Sequence, residues 1–113
     1  MLNEADRRIA PRTETAFFAV EISGRDRYQR LVRNISASGF AFEDRLATEK
    51  PGDLVLMDFP VPNSTHTLRV AGRVVHVRAE QGVGVRIENV DQSTYAKVLA
   101  APPNMTGPLP ILS

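Results

Sequence analysis

The stretch TLRVAGRVVHVRAEQGVGVRIENV, residues 67 to 90, carries the clearest structural signal in the chain. Its first half alternates between two sides, as a strand with one buried face does. One side of this predicted strand holds Leu68, Val70, Gly72, Val74 and His76, and the other holds Arg69, Ala71, Arg73, Val75 and Val77. A glycine in mid-strand indicates a bend of the kind that a closing sheet needs. The turn residues EQG lead into a second apolar run, so the segment predicts an antiparallel strand pair.

Shorter runs upstream of this pair also have strand character. TAFFAVEIS and YQRLVRNIS flank the turn GRD at residues 24 to 26, which predicts a hairpin. FAFED and LVLMDFPVP follow, and Pro60 and Pro62 end the latter because proline cannot sit in a central ladder. The predicted buried face of the first strand consists of Ala16, Phe18, Val20 and Ile22.

The ends of the chain differ from its middle. DQSTYAKVLAA places Tyr95, Val98 and Leu99 at helical spacing after a candidate N-cap, Asp91 or Ser93. We therefore expect about six short strands and one C-terminal helix, forming a small antiparallel barrel or sandwich over residues 13–101. Residues 1–12 are predicted to be a flexible arginine-rich arm, and the proline-rich residues 102–113 a disordered tail.

Composition excludes several classes of protein. The chain has 113 residues, no cysteine and two isolated histidines, so neither disulfides nor a clustered metal site is expected. It contains no Ser-centred GxSxG motif and no phosphate-cradling GxxxxGK loop. No apolar run is long enough for a signal peptide core or a membrane span. We therefore expect a cytoplasmic protein that is not an enzyme, needs no cofactor and does not insert into membranes.

Arginine dominates the positive charge. The chain has 12 arginines but 2 lysines, and Arg7, Arg8 and Arg12 fall together on the arm. Codon bias in a GC-rich genome explains the total number of arginines as well as a ligand-binding role does. The clustering instead favours binding of a planar anion, because a guanidinium pairs bidentately with phosphate or a guanine edge and stacks on a base.

The stretch RNISASGF, residues 33 to 40, places several polar groups between two strands. A tight corner explains Ser38 and Gly39. Asn34 and Ser36 lie two residues apart on a strand end and are therefore predicted to share one face. A corner and a ligand site both fit the stretch.

Together, RRIAPR (residues 7–12) and NISASG (34–39) resemble the two motifs of the PilZ domain, the bacterial receptor for cyclic di-GMP. Arg8 and Arg12 match the RxxxR motif, and Arg7 supplies the basic residue that often precedes it. Asn34, Ser36 and Gly39 match the [D/N]xSxxG motif, with asparagine in place of the more frequent aspartate. The resemblance covers roughly residues 5–101 and implies a six- or seven-stranded β-barrel with one C-terminal α-helix.

The resemblance also implies roles for these residues. Arg8 and Arg12 would bind guanine edges and phosphates of cyclic di-GMP, and Arg7 would favour a stacked ligand dimer. Asn34 and Ser36 would hydrogen-bond the ligand from the barrel surface. Gly39 would allow a close backbone approach or a positive φ. Secondary candidates are Arg33 and Ser38.

Three functions remain open. The first is a stand-alone cyclic di-GMP receptor whose arm orders around the ligand and presents a new surface to an unidentified protein partner. The second is a PilZ-like adaptor that binds protein but no nucleotide. The third, a barrel for single-stranded nucleic acid, needs exposed aromatic platforms. Because Phe18, Phe40, Phe42 and Phe59 are interpreted as core residues, no DNA or RNA partner is expected.

Overall fold

The structure is a computed structural model that describes residues 12–44, 49–78 and 82–103. These residues form six strands and one helix: β1 (Thr13–Ser23), β2 (Asp26–Ile35), β3 (Gly39–Phe42), β4 (Leu54–Pro60), β5 (Thr67–Arg78), β6 (Gly82–Asn89) and α1 (Gln92–Ala100). The strands close into an antiparallel barrel in the order β1-β2-β3-β6-β5-β4. This confirms the predicted barrel, with six strands in the described residues. The predicted arm, apart from Arg12, and residues 104–113 of the predicted tail lie outside them.

Aromatic rings fill the middle of the barrel. The Phe59 ring lies 5.6 Å from that of Phe17 and 5.0 Å from that of Phe40, both in edge-on geometry. Helix α1 closes one end by burying Tyr95 and Val98. Such edge-to-face pairs add roughly 0.5–1.5 kcal/mol to the burial of apolar area. In the described part of the chain no helix is both long and apolar enough to cross a membrane.

The buried face of β1 is the opposite of the predicted one. Phe17 and Ala19 point into the core, whereas Phe18, Val20 and Ile22 lie half-buried on the outside. Both faces of this strand are apolar, so alternation alone could not choose between them. The inner face is harder still to recognise from the sequence because it also contains a charged residue, Glu21.

Strand β5 departs from its predicted pattern after Val74. A register shift between Val74 and His76 inserts one extra residue, and His76 becomes an exposed residue of the outer face. Val77 packs partly against the core instead. A β-bulge reverses the alternation beyond it, so the prediction that His76 shares a side with Leu68, Val70 and Val74 is wrong. Another register shift lies beside Gly72, where the sequence predicts a bend.

A cluster of charged side chains surrounds the buried Glu21 of β1. Arg30 Nε lies 2.7 Å from Glu21 Oε1, and Arg30 Nη1 lies 3.5 Å from Asp44 Oδ1. Burial, and then the neighbouring carboxyl groups of Asp44 and Glu21, raise the pKa of Glu49 from 4.5 to about 8. Its buried Oε1 receives no hydrogen bond within the described residues. One guanidinium thus faces three carboxyl groups, and the raised pKa favours the protonated form of Glu49 near neutral pH.

We expect Glu49→Gln to flatten the pH dependence of stability. The raised pKa means that the contribution of the Glu49 proton is complete below about pH 4.5 and is lost as pH rises through about 8. Between pH 5 and 9, the free energy of unfolding of the wild type should fall by about 1 to 2 kcal/mol more than that of Glu49→Gln, since water partly screens the cluster. Urea unfolding at several pH values measures this difference.

A matched control is Glu43→Gln, which removes an exposed carboxylate paired with Arg33 outside the cluster. Its pH profile measures how much of the dependence comes from a carboxylate outside the cluster. Parallel profiles for Glu49→Gln and the wild type would show instead that Glu49 is already ionised at neutral pH.

Candidate functional site

Four adjacent strands bring one residue each into a row on the outside of the barrel. Asn34 on β2 pairs with Ala41 on β3, Ala41 pairs with Gly84 on β6, and Gly84 pairs with His76 on β5. Because paired positions on neighbouring strands point to the same side, the row forms one outer surface, here called the shelf. With strands about 4.8 Å apart, the row is roughly 14 Å long.

Two bulges build the ends of this shelf. One register shift lies between Val32 and Asn34, and the other between Val74 and His76. Each inserts a residue into its strand and re-aims the side chain that follows, as bulges beside functional sites often do. The shelf thus has an amide at one end and an imidazole at the other.

The middle of the shelf is low because its residues are small. Ala41 carries only a methyl group, and the His76 ring lies directly against the backbone of Gly84. A Cβ on Gly84 would fall 2.4 Å from two imidazole ring atoms. Gly84 must therefore stay a glycine if the ring is to lie flat. Ala41 is thus the low position of the shelf, since the imidazole covers Gly84.

Arg12 reaches over this shelf. Its Nη1 donates a hydrogen bond to Asn34 Oδ1 at 2.6 Å. Burial first, and then the positive charges of Arg78 and Arg12, lower the pKa of His76 below its ordinary value. Arg12 therefore acts electrostatically on both ends of the shelf. Among the described residues no carboxylate lies within ion-pair distance of Arg12, so its charge is available to an anion.

The turn after β2 is closed by Ser36. The Ser36 Oγ accepts hydrogen bonds from the backbone N–H groups of Ser38 at 3.3 Å and Gly39 at 3.2 Å. The backbone N–H of Ser36 donates to the Gly39 carbonyl at 2.8 Å. Ser36 is 3% exposed. The prediction that it shares a face with Asn34 is wrong, because β2 ends at Ile35 and the Ser36 side chain turns inward.

Gly39 allows a close approach between two strands. A Cβ at this position would fall 2.2 Å from the Val85 carbonyl oxygen of β6. Its φ is not among the positive values found in the described residues. Of the two roles predicted for this glycine, close backbone approach is the one present.

The secondary candidates lie at the border of the shelf. Arg33 occupies the bulge of β2 and pairs with Glu43 at 2.9 Å, exposed to solvent. Ser38 is exposed, and its carbonyl accepts a hydrogen bond from Ile87 of β6. The structure therefore brings together Arg12, Asn34 and the turn that contains Ser36 and Gly39. Arg7 and Arg8 lie outside the described residues.

Sequence reasoning missed part of this surface. His76, Arg78 and Arg86 come from β5 and β6, about 40 residues or more beyond the two motifs. Arg86 is exposed, pairs with Gly39 across the ladder and makes no ion pair with a described residue. Its place follows from the ladder between β3 and β6, which no local pattern reveals. The flat contact of His76 requires Gly84, so the GVGV run was the available signal.

The described residues contain no group of three or more metal-ligating side chains. Their chemistry at the shelf consists of guanidinium cations, an amide, an imidazole and backbone groups. Such groups suit recognition of an anionic, planar molecule by charge, hydrogen bonding and stacking.

Comparison with known proteins agrees with the geometry. The structure resembles that of the Bacillus subtilis inhibitor of motility (MotI/DgrA), with a TM-score of 0.68 and 16% sequence identity. The match covers 83% of this chain and 49% of that chain, so this chain spans about half the length of its structural neighbour. No curated protein matches it in sequence. The model of the PilZ domain matches residues 6–101, and the chain therefore belongs to the PilZ domain family.

Proposed function

We propose that this protein is a cytoplasmic receptor for cyclic di-GMP that binds the nucleotide on the shelf. The observation that carries the proposal is the Arg12–Asn34 contact at 2.6 Å, which joins the two family motifs beside an open surface. PilZ domains are a cyclic di-GMP-binding family, and this chain retains both motifs in full. The proposal extends that family property to the residues of this chain.

In the proposed complex, Arg12 pairs with a phosphate or with the O6/N7 edge of a guanine. Asn34 offers an amide N–H to the ligand and, unlike an aspartate, brings no negative charge near a phosphate. A base lying over Ala41 can stack against the exposed His76 ring or a guanidinium plane. Arg7 and Arg8 add further cationic groups and favour a stacked dimer of the ligand.

Output is proposed to pass to a protein partner. Phe18, Val20 and Ile22 form a half-buried apolar stripe on the outer face of β1, away from the core cluster. Apolar stripes that are partly open to solvent on an outer face are typical of protein contacts. The same stripe supports the second candidate function, an adaptor that binds protein without nucleotide.

Titration of the wild type with cyclic di-GMP decides between these two functions. Calorimetry should give binding at micromolar concentration and the number of ligands bound. Amide chemical shifts of Asn34, Ala41 and Gly84 should change, while those of the turn at Gly24 should not. Cyclic di-AMP is the matched ligand control, since it keeps the phosphates but lacks the guanine edge. Absence of binding would leave the adaptor as the function.

We expect cyclic di-GMP to raise the pKa of His76. The pKa of the free protein is lowered by burial and by the positive charges of Arg78 and Arg12. Ligand phosphates beside these guanidinium groups would offset the repulsion and favour the imidazolium. Imidazole chemical shifts followed between pH 4 and pH 9, with and without ligand, measure the change.

His66 provides the internal control, since it lies in the turn before β5 and away from the shelf. At a fixed pH, its imidazole chemical shifts should not change when ligand is added. A His76 titration that does not move at ligand saturation would place the phosphates elsewhere on the barrel.

A further inference from the structure

Helix α1 is joined to the motif turn by one buried hydrogen bond. The Tyr95 hydroxyl donates to the backbone carbonyl of Ser36 at 2.6 Å, across 59 residues of sequence. Tyr95 is 1% exposed, and burial raises the pKa of its phenol well above the usual range. The hydroxyl therefore remains a hydrogen-bond donor throughout the physiological pH range.

The other atoms of Ser36 are engaged within the turn, here called the 36–39 turn. Its Oγ also lies 3.3 Å from the Gly39 carbonyl and 3.4 Å from Ser38 Oγ. With its backbone N–H on Gly39 and its carbonyl on Tyr95, each polar group of Ser36 has a partner inside the protein. A buried residue with every polar group engaged has nothing left to offer a ligand without breaking these contacts.

We propose that Ser36 and Tyr95 are positioning residues for the ligand site, and that through them the site and helix α1 are energetically coupled. Ser36 holds the 36–39 turn, which lies between Asn34 at the end of β2 and Gly39 at the start of β3. Tyr95 holds the carbonyl of Ser36 against α1. The inference rests on the proposed function, since the coupled ligand is cyclic di-GMP.

Packing makes α1 responsive to the turn. The Tyr95 ring lies 6.3 Å from that of Phe59. Phe59 contacts Phe40 of β3, the residue that follows the motif glycine Gly39. Val98, one turn later on the helix, is fully buried against the same core. A shift of the 36–39 turn must therefore break the Tyr95 hydrogen bond or move the helix, because buried polar groups cannot be left unpaired without loss of free energy.

Coupling of this kind is reciprocal. Ligand that tightens the 36–39 turn should tighten the docking of α1, and loss of the Tyr95 hydroxyl should weaken ligand binding. The docking of helix α1 would thus depend on whether ligand occupies the shelf.

The test combines Tyr95→Phe with calorimetry and hydrogen exchange. We expect the variant to bind cyclic di-GMP about threefold to tenfold more weakly than the wild type, the effect of losing one hydrogen bond. In the wild type, saturating cyclic di-GMP should slow amide exchange at Val98 and Leu99. In Tyr95→Phe this slowing should disappear.

The matched control is Val55→Ala, which removes two methyl groups from a buried residue at the other end of the barrel. It should lower the melting temperature while leaving both the affinity and the ligand-induced slowing in α1 unchanged. Wild-type affinity and an unchanged exchange response in Tyr95→Phe would overturn the proposal.

A further experiment needs no ligand. Ser36→Ala removes the acceptor for the N–H groups of Ser38 and Gly39, so amide exchange at Gly39 should accelerate by about tenfold. In Tyr95→Phe, amide exchange at Gly39 should also accelerate, but by less. If the wild type fails to bind cyclic di-GMP but these accelerations occur, the proposed function fails while the positioning role of Ser36 and Tyr95 stands. If Gly39 exchanges at the wild-type rate in both variants, the positioning role fails.

Discussion

Replacing Arg12 with alanine is expected to weaken cyclic di-GMP binding by at least about tenfold, the lower range for one bidentate guanidinium contact to guanine or phosphate. Arg12 joins the arm to the barrel through Asn34 and has no carboxylate partner among the described residues. Its removal takes away both a positive charge and the hydrogen bond to Asn34. Calorimetric titration of wild type and variant measures the ratio of dissociation constants.

Arg69→Ala is the matched control for this change. Arg69 is an exposed arginine of the outer surface, but it is held by Asp58 through two hydrogen bonds of 2.8 and 3.1 Å. Because it lies outside the shelf, its loss should change the affinity by less than about twofold, through long-range charge alone. Equal losses in the two variants would indicate that net charge, and not the geometry of Arg12, governs binding. Arg12→Lys further separates the effect of charge from the effect of geometry, since lysine keeps the positive charge but loses the planar guanidinium.

Replacing Gly39 with alanine is expected to lower the free energy of unfolding by about 2 to 3 kcal/mol, within the upper range for inserting a methyl group into a closed space. The new Cβ would fall 2.2 Å from the Val85 carbonyl oxygen, which belongs to the ladder between β3 and β6. Backbone atoms cannot rotate away as a flexible side chain can. The two strands must move apart, and the 36–39 turn with them, so ligand affinity should fall as well. Urea unfolding and calorimetry measure the two effects.

Gly24→Ala gives the comparison that isolates the clash. Gly24 lies in the β1–β2 hairpin turn with a φ of +61°, and a Cβ there would meet no atom within 4 Å. Its replacement should lower stability by roughly 1 kcal/mol through backbone strain alone and should leave ligand affinity unchanged. If Gly39→Ala is no more destabilising than Gly24→Ala, then β3 can slide on β6 and the close approach is not a constraint.

Several features of the fold could be predicted from local patterns because local interactions determine them. The hairpin at Gly24 follows from a glycine that adopts positive φ. The helix from Gln92 to Ala100 follows from apolar spacing and from Asp91, which accepts hydrogen bonds from Ser93 and Thr94 at its start. The barrel itself follows from the number of short strands and from the family resemblance.

The errors have a common physical origin. Strand β1 is apolar on both faces, so its inner side was decided by which face met Phe59 and by the pairing of Glu21 with Arg30. Strict alternation puts His76 on the side of Val74, but one bulge at Val75 turns it to the other side. A bulge leaves no mark that a period of two can detect.

Residue type and spacing along the chain were enough to predict the class of fold and to identify the two motifs, because both depend on local sequence. The hydrogen bond that joins Arg12 to Asn34 depends on the folded barrel. Tertiary structure alone decided that Ala41, Gly84 and His76 complete a shelf with Asn34, and that Ser36 turns inward toward Tyr95. The reason is that strand register and helix docking bring together residues far apart in sequence. Those contacts depend on two bulges and on one buried hydroxyl, which become visible only once the barrel has closed.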